Sequence, residues 1–445
     1  MSSYVTKKTF GDTSWFVNDR FGMFIHFGLY ALPARHEWIQ QREMISEENY
    51  KKYFDHFNPD LFDAKQWAKT AKKTGMKYVV ITAKHHEGFC LFDSEYTDYK
   101  VTNTPYGKDL LKEVIDAFRS EGIRIGIYYS LLDWHHPDFT VDTIHPDRMR
   151  REKIEENSKR NMHRYAEYMR NQVTELLTNY GDIDIMWFDF SYPHDKTQKP
   201  FADLPMLVGK GRKDWEAEEL IATARKLRPN IIIDNRTEIE QDIFTPEQTR
   251  VNKWVTHPET KEKVVWETCQ TFSGSWGYYR DEMTWKSPKV LLSLLIRSVA
   301  YGGNLIMNVG PTARGYFDKR ATESLKVYED WMKYNSRSIY GCTMAEPEFE
   351  APEGTLLTQS QDGKRLYIHM LEYPYKTLTM KNLTGKIEYC QFLHDASEIL
   401  YKEKKPELYD EHGTIDDIVD TDVMFTIPEI EPDILVPVIE LFLKD

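Results

Sequence analysis

Ile183-Asp-Ile-Met-Trp-Phe-Asp189 is a near-continuous apolar run that ends on a carboxylate, and it follows a long amphipathic stretch, residues 155–180. A strand with one wet face alternates polar with apolar, so an uninterrupted run belongs to a strand buried on both faces, as in parallel sheets. The same texture recurs on both sides, at residues 21–27, 77–83, 124–130, 230–236, 263–268 and 304–309. Amphipathic segments at 64–74, 109–121, 215–227 and 289–301 separate most of these runs. The order is βαβα.

Seven such units, with an eighth expected near Ser338-Ile-Tyr340 after a helix over 322–334, suit a (β/α)8-like TIM barrel. No glycine-rich phosphate loop follows the first run, which removes the main argument for a dinucleotide-binding sheet. Barrel active sites form at the C-terminal ends of the strands. His26, Lys84-His85-His86, Tyr128 to Ser130, Asp189, Asn235-Arg236, Glu267 and Asn308 all fall at such ends. A single strand-end Asp is commonly a helix cap and a single His a satisfied core residue, but neither accounts for the whole set.

After Gly341 the pattern changes to short alternating strands, at 355–358, 365–370, 377–380, 386–392, 423–427 and 436–442, without helices between them. Period-two alternation of this kind predicts an antiparallel β-sandwich. The expected division is a catalytic barrel over 1–340 and a C-terminal sandwich over 341–445, with residues 401–421 a solvated loop.

Composition narrows the function. The 58 Lys+Arg against 71 Asp+Glu leave a net charge of −13, which repels phosphate backbones and anionic membrane surfaces, so neither nucleic acid nor membrane is an expected partner. The first residues lack an apolar leader and no run approaches a membrane span, so a cytoplasmic location is expected. Cys90, Cys269, Cys342 and Cys390 are far apart without metal or redox spacing and read as reduced thiols. Aromatic residues make up 13%, more than packing alone requires, and sugar clefts stack ring faces on such side chains.

The blocks Phe21-Gly-Met-Phe-Ile-His-Phe-Gly28, His36-Glu-Trp38, Lys84-His-His-Glu-Gly-Phe-Cys90, Trp187-Phe-Asp189, Trp266-Glu-Thr268, Ser275-Trp-Gly-Tyr278 and Asn304-Leu-Ile-Met-Asn-Val-Gly-Pro311 resemble, in order, the signature blocks of family 29 glycoside hydrolases, the retaining α-L-fucosidases. They span the expected barrel, and that family also carries a C-terminal β-sandwich. The resemblance implies hydrolysis of fucosylated oligosaccharides without cofactor or metal. Retention needs one carboxylate to attack the anomeric carbon and a second carboxyl to protonate the departing oxygen.

Asp189 matches the family nucleophile. The acid/base has three contenders: Glu247, in a Thr-Pro-Glu pattern on a loop after the fifth strand; Asp242 upstream of it; and Glu267, at the end of the sixth apolar run. The resemblance further assigns His26, His85 and His86 to the sugar hydroxyls, Glu37 and Trp38 to the pocket border, Tyr128 to the neighbourhood of the nucleophile and Arg236 to the acid/base loop. Trp187, two residues before Asp189 and so on the same strand face, is expected to supply apolar packing. Aglycone and linkage choice fall to loops such as residues 191–214.

Two other readings compete. Histidines and carboxylates at strand ends also bind zinc, but the sequence lacks His-x-His and His-Glu-x-x-His spacings, and adjacent His85 and His86 would face opposite ways on a continuing strand. Loss of activity in EDTA would favour metal. A silent fucose-binding protein needs no buried nucleophile, so Asp189→Asn separates it from an enzyme.

Overall fold

The structure, a computed structural model, describes residues 4–403 and 421–444. Seven parallel strands form one curled sheet: β1 (Phe21–Ile25), β2 (Tyr78–Lys84), β3 (Arg124–Ser130), β4 (Ile185–Asp189), β5 (Ile232–Ile233), β6 (Glu267–Thr271) and β7 (Asn304–Val309). Their order is β5-β4-β3-β2-β1-β7-β6, so the sheet curls until β1 pairs with β7. Helices α1 (Ala64–Thr74), α2 (Leu110–Ser120), α3 (Met162–Asn179), α4 (Ala217–Leu227), α5 (Pro288–Ala300) and α6 (Lys319–Asn335) cover its outer side. Their starts are set by side chains that accept orphan amide protons: Asp63 from Gln66, Asp109 from Lys112 and Asp318 from Ala321. Gly75, at φ +88°, ends α1 in the left-handed turn that glycine adopts without steric cost.

The eighth stave is not where the sequence suggested. Residues Ser336–Ser338 form a 3-10 helix, and the next strand, Cys342–Met344, joins an antiparallel sheet. The gap between β5 and β6 is filled instead by an irregular segment that pairs in parallel with both: Asp234 lies opposite Ile243, Phe244 opposite Trp266, and Glu247 opposite Cys269. No helix intervenes between β5 and β6 among the described residues.

Period-two alternation splits the barrel into two cores. Inward-facing Phe24, Val80, Tyr128, Ile185, Trp187, Ile243 and Ile306 form one buried cluster, while outward-facing strand residues pack against the helices in a larger one. Gly22 leaves room for a neighbouring ring, since a Cβ there would lie 2.3 Å from the Tyr78 side chain.

The C-terminal strands form a five-stranded and a three-stranded antiparallel sheet. They enclose their own apolar cluster, including Leu366, Ile368, Phe392, Phe425 and Leu441. Within the expected 401–421 loop, Tyr401–Lys402 pairs as a short strand with Val423–Thr426, and residues 404–420 lie outside the described residues. All four cysteines are buried and free. No helix of the described residues is long and apolar enough to cross a membrane.

Candidate active site

The site is built on strand ends. Asp189 closes β4 and lies beside Ser130, the last residue of β3. Two residues earlier on both strands, Tyr128 pairs with Trp187, so the phenol stands next to the carboxylate on the same inner face. The Tyr128 hydroxyl donates to Asp189 Oδ2 at 2.7 Å, and Arg236 Nη1 donates to Oδ1 at 2.8 Å. Burial and the Asp189 charge push the Tyr128 phenol well above its ordinary pKa, which keeps it a donor.

Arg236 is the hub. The nitrogen that binds Asp189 also lies 2.9 Å from Glu247 Oε2. Its Nε donates to Thr245 Oγ1 at 2.9 Å, and its guanidinium lies 4.5 Å over the Trp187 ring. Burial works against the charge, but Asp189 and Glu247 outweigh it and hold the arginine well above its usual value. The Asp189 side chain is only 12% exposed and that of Glu247 is 41% exposed. One carboxylate is thus recessed and the other faces the opening.

Three histidines line the same mouth, and partners fix the tautomers of two of them. Asn308 Nδ2 donates to the Trp276 carbonyl, so its Oδ1 accepts from His26 Nδ1 at 2.7 Å. Ser130 Oγ donates to the Leu132 carbonyl and therefore accepts from His86 Nδ1 at 2.7 Å. His85 Nδ1 lies 3.3 Å from Glu87 Oε2. His26 and His86 carry their proton on Nδ1, leaving Nε2 as an acceptor. Burial first, then the neighbouring histidines, hold His26 and His86 well below their ordinary pKa. β2 ends at Lys84, so His85 and His86 escape strand alternation and their ring centroids come within 4.0 Å.

Trp38 and Phe190 pack edgewise or tilted on His86 and on each other, and Trp276 lies 5.0 Å from the His26 ring. Glu37 is buried, and its Oε2 accepts from Ser275 Oγ and from the amides of Trp276 and Gly277. Oε1 makes no hydrogen bond and lies 3.1 Å from His36 Nδ1. Among the described residues no group of three or more His, Cys, Asp or Glu side chains is arranged to hold a metal ion.

Two acid/base contenders lie away from this mouth. Glu267 opens β6 rather than ending a strand, because the ladder begins at Glu267 opposite Asn304. It is fully buried in the barrel interior, where it accepts from the Tyr78 hydroxyl and from Trp187 Nε1. Burial pushes its carboxyl up to about 7 against those hydrogen bonds. Asp242 accepts from the amides of Phe10, Gly11 and Ile233 and from Arg225, so both its oxygens are engaged in pinning the N-terminal segment to β5.

Thr245 and Glu87 were given no role from the sequence, and Ser130 was named only as part of the polar Tyr128 to Ser130 strand end. Their signal was position: a hydroxyl ending β3, a threonine two residues before Glu247, and a carboxylate two after His85.

The family model described as alpha-L-fucosidase matches residues 6–337. The chain belongs to that family, glycoside hydrolase family 29. An alpha-L-fucosidase of Dictyostelium discoideum is 26% identical over 363 residues, covering 74% of this chain and 71% of its own. The human plasma alpha-L-fucosidase is 28% identical over 355 residues, covering 74% and 69%. Among solved structures, alpha-L-fucosidase isoenzyme 1 from Paenibacillus thiaminolyticus is 40% identical with a TM-score of 0.86, over 97% of this chain and 99% of that one. A family 29 fucosidase from Bacteroides thetaiotaomicron, solved as a trapped covalent intermediate in a glutamate-to-glutamine variant, is 26% identical with a TM-score of 0.79 over 99% of both chains. The enzyme is a glycoside hydrolase of the α-L-fucosidase class, and its substrates are fucosylated glycans.

Proposed function

We propose that this fucosidase releases terminal α-L-fucose with retention, through a covalent fucosyl-enzyme on Asp189 and with Glu247 as acid/base. The observation that carries this reading is the single guanidinium nitrogen shared by the two carboxylates. Their bound oxygens can be no farther apart than the sum of 2.8 and 2.9 Å. That brings one oxygen of each carboxylate within reach of the roughly 5–5.5 Å separation of retaining pairs.

In the first step Asp189 Oδ attacks C1 as Glu247 gives its proton to the departing oxygen. In the second, Glu247 takes a proton from water as that water displaces Asp189. Arg236 and Tyr128 hold the attacking carboxylate in place. The Nε2 atoms of His26 and His86 supply acceptors for the ring hydroxyls, and His85 and Glu37 add polar groups beside them. Trp38, Phe190 and Trp276 give apolar surface for the C6 methyl. A sugar hydroxyl in place of water in the second step would give transfucosylation.

Hydrolysis of an aryl α-L-fucoside followed by NMR tests the scheme: α-fucose should form first. Asp189→Asn should lower turnover by roughly 10⁴-fold or more while still binding fucose. First-formed β-fucose, or an active Asp189→Asn enzyme, would overturn it.

A further inference from the structure

Lys84, the last residue of β2, and Asp133, just beyond the end of β3, form an ion pair sealed inside the fold. Their side chains are 0% and 2% exposed, and Lys84 Nζ lies 3.2 Å from Asp133 Oδ2. The ammonium also donates at 3.2 Å to the Tyr165 hydroxyl, whose own proton goes to the Leu131 carbonyl. Three rings enclose it: Tyr129 of β3 at 4.4 Å, and Tyr165 and Tyr168 of α3 at 5.4 and 5.6 Å. Asp133 is equally committed, since its Oδ1 accepts from the amides of His135 and His136 at 3.1 and 2.9 Å. Burial alone would raise its carboxyl, but Lys84, His136 and His135 outweigh that and hold it below its ordinary value.

The pair lies where two exit turns of the barrel meet. One carries His85 and His86 straight after Lys84, and the other carries Trp134 straight after Asp133. The Trp134 amide donates to the His86 carbonyl at 2.9 Å, and the two rings lie 5.7 Å apart. The contact between the turns is so close that a Cβ at Gly88 would run into Asp133 Oδ1. Taking two charges out of water is costly, and well-packed apolar residues often hold a fold equally well, so stability alone is a poor account of this pair. What the charges add is direction: each is satisfied by the other in one arrangement, which fixes one turn against the other. We propose that Lys84 and Asp133 are positioning residues for fucose recognition, an internal strut that sets the height and rotation of the His85 and His86 rings at the mouth. They act on sugar binding and leave the chemistry of Asp189 and Glu247 alone. This rests on the reading that those histidines line the fucose pocket.

The test joins calorimetric binding of fucose to steady-state kinetics on an aryl α-L-fucoside, for the wild type, Lys84→Met, Asp133→Asn, the double variant and His86→Ala. Either single variant leaves a buried charge without its counterion. Fucose should bind roughly tenfold or more weakly in each, with KM rising in step and kcat held within about threefold. In the double variant Met fills the tyrosine enclosure and Asn keeps an acceptor for the two amides, so affinity should return to within about threefold of the wild type. A pair that served only the fold would lower the urea midpoint and leave the fucose affinity of the folded protein untouched. Unchanged affinity in both single variants, a loss confined to kcat, or losses that simply add in the double variant would overturn the proposal. Asp133→Asn is the milder change and keeps the test decisive where Lys84→Met does not fold, which circular dichroism shows. His86→Ala separates the strut from the reading beneath it. If that variant binds fucose as the wild type does, the histidine pocket itself is wrong. If it binds weakly while both single variants bind normally, only the strut falls.

Discussion

Glu247 and Glu267 are the same residue type in neighbouring staves, yet their surroundings separate them. Glu247 is partly exposed and shares Arg236 with Asp189, whereas Glu267 is sealed beneath Trp187, the residue over whose ring Arg236 lies. Glu247→Gly should therefore slow hydrolysis most for fucosides with poor leaving groups, and azide should restore the rate by displacing Asp189 from the β-fucosyl-enzyme to yield α-fucosyl azide. Glu267→Gln should retain activity within about tenfold, since the loss of a remote neutral partner leaves the reacting groups in place. Azide rescue in a Glu267 or Asp242 variant and not at Glu247 would reassign the acid/base. Arg236→Lys is a sharper probe of geometry than of charge. Lysine keeps the cation but lacks the fork that reaches Thr245 and both carboxylates, so steady-state kcat/KM should fall by roughly 10²-fold. An unchanged kcat/KM would show that charge alone suffices.

At the level of elements, the irregular stave between β5 and β6 closes the barrel and delivers Glu247 with the same stretch of chain. Ile243 plugs its inner face and is wholly buried, Thr245 fixes Arg236, and Glu247 stands opposite Cys269. Ile243→Ala should lower unfolding free energy by about 2–5 kcal/mol, as a cavity opens among Phe24, Ile185 and Ile306. Because the stave's ladder is sparse, the same change should also lower kcat, measured alongside urea unfolding. Stability loss with unaltered kcat would mean that Glu247 is held by its loop and not by the stave. The other regular strands were legible from their apolar runs, but the run at 263–268 reaches only the first two residues of β6, and this stave was not legible at all. Asp242-Ile-Phe-Thr-Pro-Glu-Gln248 has one short apolar pair and a proline, which lacks the amide a ladder needs. Its place comes from neighbours on both sides.

For the whole molecule, buried titratable groups predict an opposing pH dependence. His145 and His369 are fully buried and pushed down to about 3, so between about 3 and their ordinary 6.5 the unfolded chain binds protons that the folded one refuses. Stability from these two is complete above 6.5 and declines as pH falls toward 3. Glu267 acts in the other sense: pushed up to about 7 from 4.5, it keeps its proton in the folded state, and its contribution is lost as pH rises through 7. Urea midpoints across this range should show Glu267→Gln gaining on the wild type as pH climbs from 4.5 to 7, and His369→Gln losing less than the wild type on acidification below 6.5. Parallel curves for wild type and Glu267→Gln would show that this carboxyl is not held protonated. The sequence by itself determined which segments become doubly buried strands, that Asp189 ends one of them, and that the C-terminal part alternates as antiparallel strands. Each follows from local periodicity, which needs no knowledge of neighbours. Only the tertiary structure decided that β6 starts at Glu267, that His85 and His86 both turn to the mouth, that the eighth stave lies between β5 and β6, and that Glu247 shares a guanidinium with Asp189. Periodicity tells which face a side chain takes, but its height in the barrel depends on register against strands distant in the chain, and so does the partner that a carboxylate meets.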